Sequence, residues 1–176
     1  MFDPVPNELK APYGLRPAAV LVPVVGDGPL AEGTLIYTLR SQNLAHHRGQ
    51  ISFPGGAIEA GETPAEAALR EAREEIGLDP GRVTVLGALA PVLSPAGYWV
   101  RPVVGRVAGE PELRINPAEV AGVLRVPVRE LLAAPAWPEW RRGRYVWHYP
   151  WRGYDIWGVT GNITHDFLTR LKGGEG

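Results

Sequence analysis

GAIEAGETPAEAALREAREEIGL, residues 56–78, carries its own start and stop signals. Thr63 is placed as an N-cap, Pro64 suits the first helical position, and Glu66 completes a capping box. Gly77 suits the position just past a helix, where a left-handed residue ends it. The spacing predicts a helix from about Pro64 to Ile76. Ala65, Ala68, Leu69, Ala72 and Ile76 follow helical spacing and form one apolar stripe. Glu71, Glu74 and Glu75 stand at i, i+3 and i+4 and are expected on a shared face outside that stripe. Ala67 lies a turn before them on the same side, where its small side chain is expected to leave room for a ligand.

Three carboxylates this close repel one another by roughly 0.2–0.5 kcal/mol per helical pair. Only Arg70 and Arg73 flank them as counter-charges. An isolated E-x-x-E-E is ordinarily a solvated helix face. Here a glycine-rich loop, Phe53-Pro54-Gly55-Gly56-Ala57-Ile58-Glu59, leads into the helix. Paired glycines let backbone atoms approach a metal or a phosphate closely. A hard divalent cation, which takes oxygen ligands and substrate phosphates, accounts for loop and carboxylates together.

Gly56, Glu62, Arg70, Glu71, Glu74, Glu75 and Gly77, with apolar Ala72 and Leu78, follow the pattern G-x5-E-x7-R-E-U-x-E-E-x-G-U, where U is apolar. In this the segment resembles the Nudix box, and the chain resembles a Nudix hydrolase. The resemblance implies an α/β (α+β) Nudix fold, a mixed β-sheet sandwiched between α-helices with a loop-helix-loop catalytic box. It also implies hydrolysis of a nucleoside diphosphate linked to another group, with Mg²⁺ or Mn²⁺ as cofactor. Glu71, Glu75 and Glu74, with the Gly56 backbone carbonyl, are the implied metal ligands. Glu62 and Arg70, ending at Gly77, hold loop and helix together. The general base is left between Glu74 and Glu119.

Upstream, residues 35–56 read LIYTLRSQNLAHHRGQISFPGG. This looks like the motif L-L-T-x-R-S-x3-R-x3-G-x3-F-P-G-G of coenzyme A pyrophosphatases, a Nudix subfamily. Arg40, Ser41, Gly49, Phe53, Pro54, Gly55 and Gly56 match. Ala45 stands where the motif has a second arginine, and Leu39 separates Thr38 from Arg40. LGALAPVLSPAGYWVRPVVG (86–105), EVAGVLRVPVREL (119–131) and IWGVTGNI (156–163) extend the likeness. By this resemblance the substrate is coenzyme A or a derivative, cleaved to 3′,5′-ADP and (acyl-)4′-phosphopantetheine. Arg40 and Arg48 are the candidate phosphate-binding cations, with the backbone of Gly55 and Gly56 beside them. For Arg40, a strand-end arginine paired with a box carboxylate is an equal alternative. His46 and His47 read as surface loop residues or phosphate contacts. The rival readings are a Nudix enzyme for ADP-ribose, NADH or an oxidised nucleotide, and a non-catalytic nucleotide-binding module.

The rest of the chain sets bounds. Its 176 residues suit a single domain, with an irregular arm at 1–17 and a tail at 173–176. A net charge of −1 gives no reason to expect nucleic-acid or membrane-surface binding, so the expected partner is a small nucleotide substrate. The absence of cysteine excludes disulfides and thiolate chemistry and fits a cytoplasmic protein. Neither a signal peptide nor a membrane span is legible. Strands are expected at Ala18–Val25 and Thr34–Arg40 (a hairpin), Ile51–Phe53, Val83–Leu89, Tyr98–Val107 and Val123–Val126. Pro102 suggests an edge strand or a bulge. A short helix is expected at Arg129–Ala133 and a hairpin at Arg144–Tyr149 and Tyr154–Trp157. Val159, Ile163, Phe167 and Leu171 repeat every four residues and predict an amphipathic C-terminal helix. The aromatic and basic stretch Trp137–Trp151 is expected to serve core or dimer packing, and its aromatic surface together with the Nudix resemblance points to a homodimer.

Overall fold

Both ends of the box helix, α1 (Pro64–Ile76), form as the local signals require. The Glu66 N–H donates to Thr63 Oγ1 at 3.1 Å, and the Thr63 N–H donates to Glu66 Oε1 at 3.2 Å. Gly77 takes φ 68° and its N–H donates to Arg73 O at 3.0 Å. A side chain there would also press on the Arg114 backbone at 3.0 Å. The computed structural model describes residues 1–42 and 50–174. Arg48 and the neighbouring Ala45, His46, His47 and Gly49 lie outside the described residues.

Around α1 the described strands build a mixed sheet. Its members are β1 (Arg16–Val25), β2 (Thr34–Arg40), β3 (Ile51–Ser52), β4 (Gly55–Ala57), β5 (Val83–Ala88), β6 (Val92–Leu93), β7 (Tyr98–Val107) and β8 (Val120–Pro127). The path runs β3–β2–β1–β7–β5, with β4 on β1, β6 on β7 and β8 on β2. β1 and β7 pair in parallel from Arg16↔Tyr98 to Val25↔Val107, whereas the other pairs are antiparallel. The expected β1–β2 hairpin closes only at its turn end, Val24↔Leu35 and Val25↔Thr34. Beyond it β2 pairs with β3, β8 running along its other edge, and β1 pairs with β4 through Ala18↔Ala57 to Val20↔Gly55. The glycine-rich segment read as loop therefore contains a strand, wedged against β1 where the hairpin partner would otherwise lie. This splay places the loop under α1.

Pro102 stands in an interior strand, not at an edge, because β7 lies between β1 and β5. Its missing N–H falls opposite the break between β5 and β6. There the Leu89 N–H donates to Pro102 O at 3.0 Å, and Arg101 Nη1 donates to Leu89 O, the acceptor a Pro102 N–H would have used. The bulge expected near it sits on the neighbouring strand, between Val85 and Gly87.

After β8 come α2 (Val128–Ala133), β9 (Trp137–Arg141), β10 (Arg144–Trp151), β11 (Tyr154–Ile156) and α3 (Gly158–Gly173). The last three strands form a second sheet, β11–β10–β9, in which β9 was not expected. Trp137, Trp140 and Tyr145 remain exposed on it, so the expectation of core packing fails for these three.

Two apolar clusters flank the main sheet. Ala19, Leu21 and Ile36 meet Ala68, Ala72 and Ile76 of α1 on one face. Val22, Val24, Leu35 and Tyr37 meet Ile163, Phe167 and Leu171 of α3 on the other. β1 thus buries both its faces, which is why its sequence is a continuous apolar run. Ala67 belongs to the α1 cluster and is fully buried, so it leaves no space for a ligand. The arm at 1–17 is not loose: Asp3 bridges Ala88, and Phe2 stacks on Phe167. Among the described residues, no helix is long and apolar enough to cross a membrane.

Candidate active site

Arg70 organises the loop-helix junction. Its Nε and Nη2 grip the Glu62 carboxylate at 2.7 and 3.0 Å, and Nη2 also donates to Ala57 O at 3.1 Å. Nη1 donates to Glu71 Oε1 at 2.8 Å and reaches Glu74 Oε2 at 3.4 Å. Glu62 Oε1 in turn accepts the Glu59 N–H at 3.0 Å. The Arg70 guanidinium holds the Glu62 carboxyl below its usual range. One arginine therefore ties the strand β4, the following turn and the third turn of α1 into one unit.

Glu75 is the buried member of the acidic set, with 2% of its surface exposed. The helix rotation that separates it from Glu74 turns it under the sheet. Burial pushes its carboxyl up to about 8; Arg40 and the Gly55 N–H oppose that shift, while Glu71 and Glu119 add to it. Glu71 is also raised, first by burial, against its bond to Arg70. Glu75 Oε2 and Arg40 Nε are both buried without a hydrogen-bond partner among the described residues. Buried polar atoms are seldom left this way unless a ligand, ion or water completes them. Glu71, Glu75, Glu119 and Arg40 thus converge electrostatically. Glu74 also acts on Glu71, but from an outer position: its side chain is 55% exposed and paired with Arg70.

Glu119 reaches this group through a device that sequence reading missed. Asn116 Oδ1 accepts the Ala118 N–H at 3.2 Å, and Asn116 O accepts the N–H groups of Glu119 and Val120 at 3.0 and 2.9 Å. The Asn116 N–H donates to Glu75 O at 2.9 Å, and the Ser41 N–H donates to Glu119 O at 2.9 Å. The turn is therefore fastened to the end of α1 and to the end of β2. Asn116-Pro117 is a turn-initiating dipeptide, the one signal that would have found it.

The two loop glycines differ in kind. A side chain on Gly55 would strike Ala19 O and Val20 Cα of β1, so this glycine serves the β1–β4 contact. At Gly56 a methyl group would stand 2.7 Å from the Glu71 carboxyl carbon and Oε1. The Gly56 backbone is pressed to the acidic group, and only hydrogen fits between them. The Gly55 N–H is turned to the Glu75 carboxylate.

The donor set fits a hard divalent cation: carboxylate oxygens of Glu71 and Glu75, one of them orphaned and buried, beside a backbone cradle at Gly56. No three of the described His, Asp or Glu side chains are already gathered as a metal cage. Glu71 Oε1 and Glu74 Oε2 are instead engaged by Arg70.

The NUDIX domain family model matches residues 15–147 of the chain. A Photorhabdus laumondii protein, "Uncharacterized Nudix hydrolase NudL", is 39% identical over 163 residues, covering 89% of this chain and 86% of that protein. Among solved structures, a C. elegans Ap4A hydrolase binary complex matches with TM-score 0.59 and 16% identity, covering 89% of this chain and 98% of that one. A MutT protein from Methanosarcina mazei Go1 matches with TM-score 0.59 and 16% identity, covering 96% and 99%. At that identity the two structures speak for the fold alone.

Proposed function

This chain belongs to the Nudix hydrolase family, a family of pyrophosphohydrolases, and we propose that its substrate is coenzyme A or a derivative, cleaved at the diphosphate to 3′,5′-ADP and (acyl-)4′-phosphopantetheine. The observation that carries the substrate reading is Arg40. It is the first arginine of the upstream stretch that resembles the coenzyme A pyrophosphatase motif, and its buried Nε, beside Glu75 and without a partner among the described residues, is poised to receive an anionic oxygen. Arg48, the second candidate cation, and Ala45, which replaces the motif's other arginine, keep one further reading in play: another nucleoside diphosphate derivative such as ADP-ribose, NADH or an oxidised nucleotide. The cysteine-free composition fits a cytoplasmic enzyme, and the exposed Trp137, Trp140 and Tyr145 are the surface a second copy would cover.

In this reading Glu71, Glu75 and the Gly56 carbonyl hold Mg²⁺ or Mn²⁺, with Glu74 at the periphery. When bound, such a cation neutralises diphosphate charge and acidifies an attacking water. Glu119 takes the water's proton as the water oxygen bonds to phosphorus; the bridging P–O bond breaks and its electrons leave with the departing phosphate. Glu119 is preferred to Glu74 because it acts on both Glu71 and Glu75 and its turn is fastened from two sides, whereas Glu74, which also acts on Glu71, is largely in solvent and paired with Arg70. Arg40 balances Glu75 in the free protein and turns to a substrate phosphate on binding. Glu62 and Arg70 hold the loop in place.

The test is product analysis by mass spectrometry. The protein is incubated with coenzyme A, ADP-ribose, NADH and 8-oxo-dGTP, in Mg²⁺ and in Mn²⁺, with Glu75→Gln as the blank. Release of 3′,5′-ADP from coenzyme A, lost in Glu75→Gln, is the expected result. Cleavage of another substrate but not coenzyme A keeps the box chemistry and removes the substrate assignment. Binding of nucleotide without turnover of any would overturn the catalytic reading.

A further inference from the structure

IWGVTGNI, residues 156–163, forms the end of β11 and the start of α3, and its polar side chains reach two different sheets. On one side it is clamped to β10. A side chain at Gly161 would strike Trp147 O, so helix and strand meet backbone to backbone. Asn162 Oδ1 accepts the Trp147 N–H at 2.9 Å, and Asn162 Nδ2 donates to Tyr145 O at 3.2 Å. On the other side, the hydroxyl of the buried Thr160 donates to Ile51 O at 3.1 Å.

Ile51 O is a carbonyl in need of such a donor. β3 pairs with β2 through Thr38↔Ser52 and Leu39↔Ile51, and the Arg40 N–H donates to Gln50 O at 2.8 Å. Carbonyls alternate in direction along a strand, so Gln50 O faces β2 and Ile51 O faces away from it. β3 ends the path of the main sheet, and no further strand among the described residues pairs with it there. Thr160 stands where that strand would. β3 has just two residues, and both neighbours of the acidic group hang on it. Downstream, Phe53 stacks on Tyr37 at 4.5 Å before the chain enters β4 at Gly55. Opposite, the β2–β8 register shifts between Leu39 and Arg40. The bond to Gln50 therefore fixes the Arg40 backbone where its ladder to β8 becomes irregular.

We propose that Thr160 is a positioning residue: through Ile51 O it holds β3 against the end of β2, and so sets Arg40 for a substrate phosphate. This role rests on the reading of Arg40 as a phosphate-binding cation. Thr164, one turn further along α3, supplies the comparison. Its hydroxyl lies 2.8 Å from Tyr37 Oη, and both residues are fully buried. It too ties α3 to the main sheet, but at a side chain in the middle of β2 and not at the backbone of β3. Removing either hydroxyl leaves a buried oxygen unpaired and costs stability. Removing that of Thr160 alone also loosens the strand opposite Arg40.

The experiment is steady-state kinetics well below the lowest Tm, with whichever of coenzyme A, ADP-ribose, NADH and 8-oxo-dGTP the wild type cleaves. Thr160→Val is expected to raise KM roughly three- to tenfold, the weight of one hydrogen bond, with kcat within about twofold of wild type. Thr160→Ser keeps the hydroxyl and is expected to hold KM within about twofold. Thr164→Val should lower Tm without raising KM. Arg40→Lys keeps a charge beside Glu75 but loses the Nε donor, and should raise KM roughly tenfold. In that background Thr160→Val should add nothing further, because the two changes remove one shared effect. Wild-type KM in Arg40→Lys would remove the reading of Arg40 and this proposal with it, as would the absence of turnover with all four compounds. If Arg40→Lys does raise KM, three results overturn the role of Thr160 alone: an unchanged KM in Thr160→Val, an equal rise in Thr164→Val, or effects that multiply in the double variant.

Discussion

Gly55 and Gly56 are adjacent and chemically identical, yet the structure asks different things of them. Gly55 must let β4 pass over β1, and a methyl there meets main-chain atoms that cannot yield. Gly55→Ala is therefore expected to cost stability, about 1–3 kcal/mol of overpacking or more, seen as a lower denaturant midpoint. Gly56 meets the end of a flexible glutamate instead. Gly56→Ala is expected to leave the midpoint within about 0.5 kcal/mol of wild type while lowering kcat, because the methyl displaces the Glu71 carboxylate from the proposed cation position. Equal loss of stability in both variants would show that Gly56 is only a packing residue. The pattern of the box made both glycines visible but could not separate them, since the partner that decides each role, Ala19 or Glu71, is set by strand pairing. Glu75 illustrates the same limit. Helical spacing placed it with Glu71 and Glu74, but its burial depends on the sheet passing beneath α1, and only Glu74 is on an open face.

At the scale of elements, α1 was legible to the residue because its capping box and its terminal glycine act within a few positions of the helix. β4 was hidden, since a short Gly-Gly-Ala strand has no side-chain alternation and exists only because β1 supplies its partner. β9 was hidden for a related reason: Trp137–Arg141 is exposed along most of its length and contains Pro138, so neither burial pattern nor propensity marks it. The Arg70–Glu62 pair joins two elements and should behave as one unit. Glu62→Gln leaves Arg70 without its bidentate partner in a largely enclosed place. Thermal unfolding is expected to register a loss of about 1–3 kcal/mol, and kcat to fall roughly ten- to a hundredfold through the misplaced loop. The second sheet has a titrating clamp of its own. His148 on β10 bonds Asp155 of β11 at 2.7 Å and Glu139 of β9 at 2.9 Å, and its ring lies between Trp137 and Trp157 at centroid distances of 4.0 and 5.5 Å. Burial disfavours its charged form, but the two carboxylates outweigh burial and its pKa is raised above 6.5. The folded protein thus holds this proton where the unfolded chain releases it. The clamp's contribution is complete below the unfolded value near 6.5 and is lost as pH rises through the folded one. Urea midpoints measured between about pH 6 and 9 should fall with pH in the wild type and fall less in Asp155→Asn. Parallel slopes in the two proteins would remove His148 from the account.

At the scale of the whole molecule, the fold class was within reach of the sequence and the connectivity was not. Short strands interleaved with helices imply a layered α/β chain. That β1 lies parallel to β7, some eighty residues later, is set by the burial of both its faces, and many strands could have satisfied that demand. The N-terminal arm shows the same gap most plainly. Proline-rich and without periodicity, it reads as irregular, yet it fastens the two halves of the structure. Asp3 and Ala88 exchange N–H···O bonds of 2.9 and 2.7 Å, extending the sheet beyond β5. Phe2 stacks on the buried Phe167 of α3, and Asp3 Oδ2 meets Arg170 at 3.1 Å, an arginine that also holds Asp166. Gly87, at φ 149°, has no side chain because one would strike Phe2 Cβ and Asp3 O. Removing residues 2–5 therefore bares Phe167, opens two backbone bonds and frees Arg170 from one of its two carboxylates. The expected cost is about 2–4 kcal/mol, a fall of roughly 5–15 °C in Tm for a chain of this size. Turnover should be unchanged at temperatures well below the new Tm, because the arm touches none of Glu71, Glu75, Glu119 or Arg40. Differential scanning calorimetry and initial rates on the same truncated sample decide it. An unshifted Tm would mean the arm is laid on the surface without holding it, and a lower kcat at full folding would mean that the arm and the acidic group are coupled through the sheet.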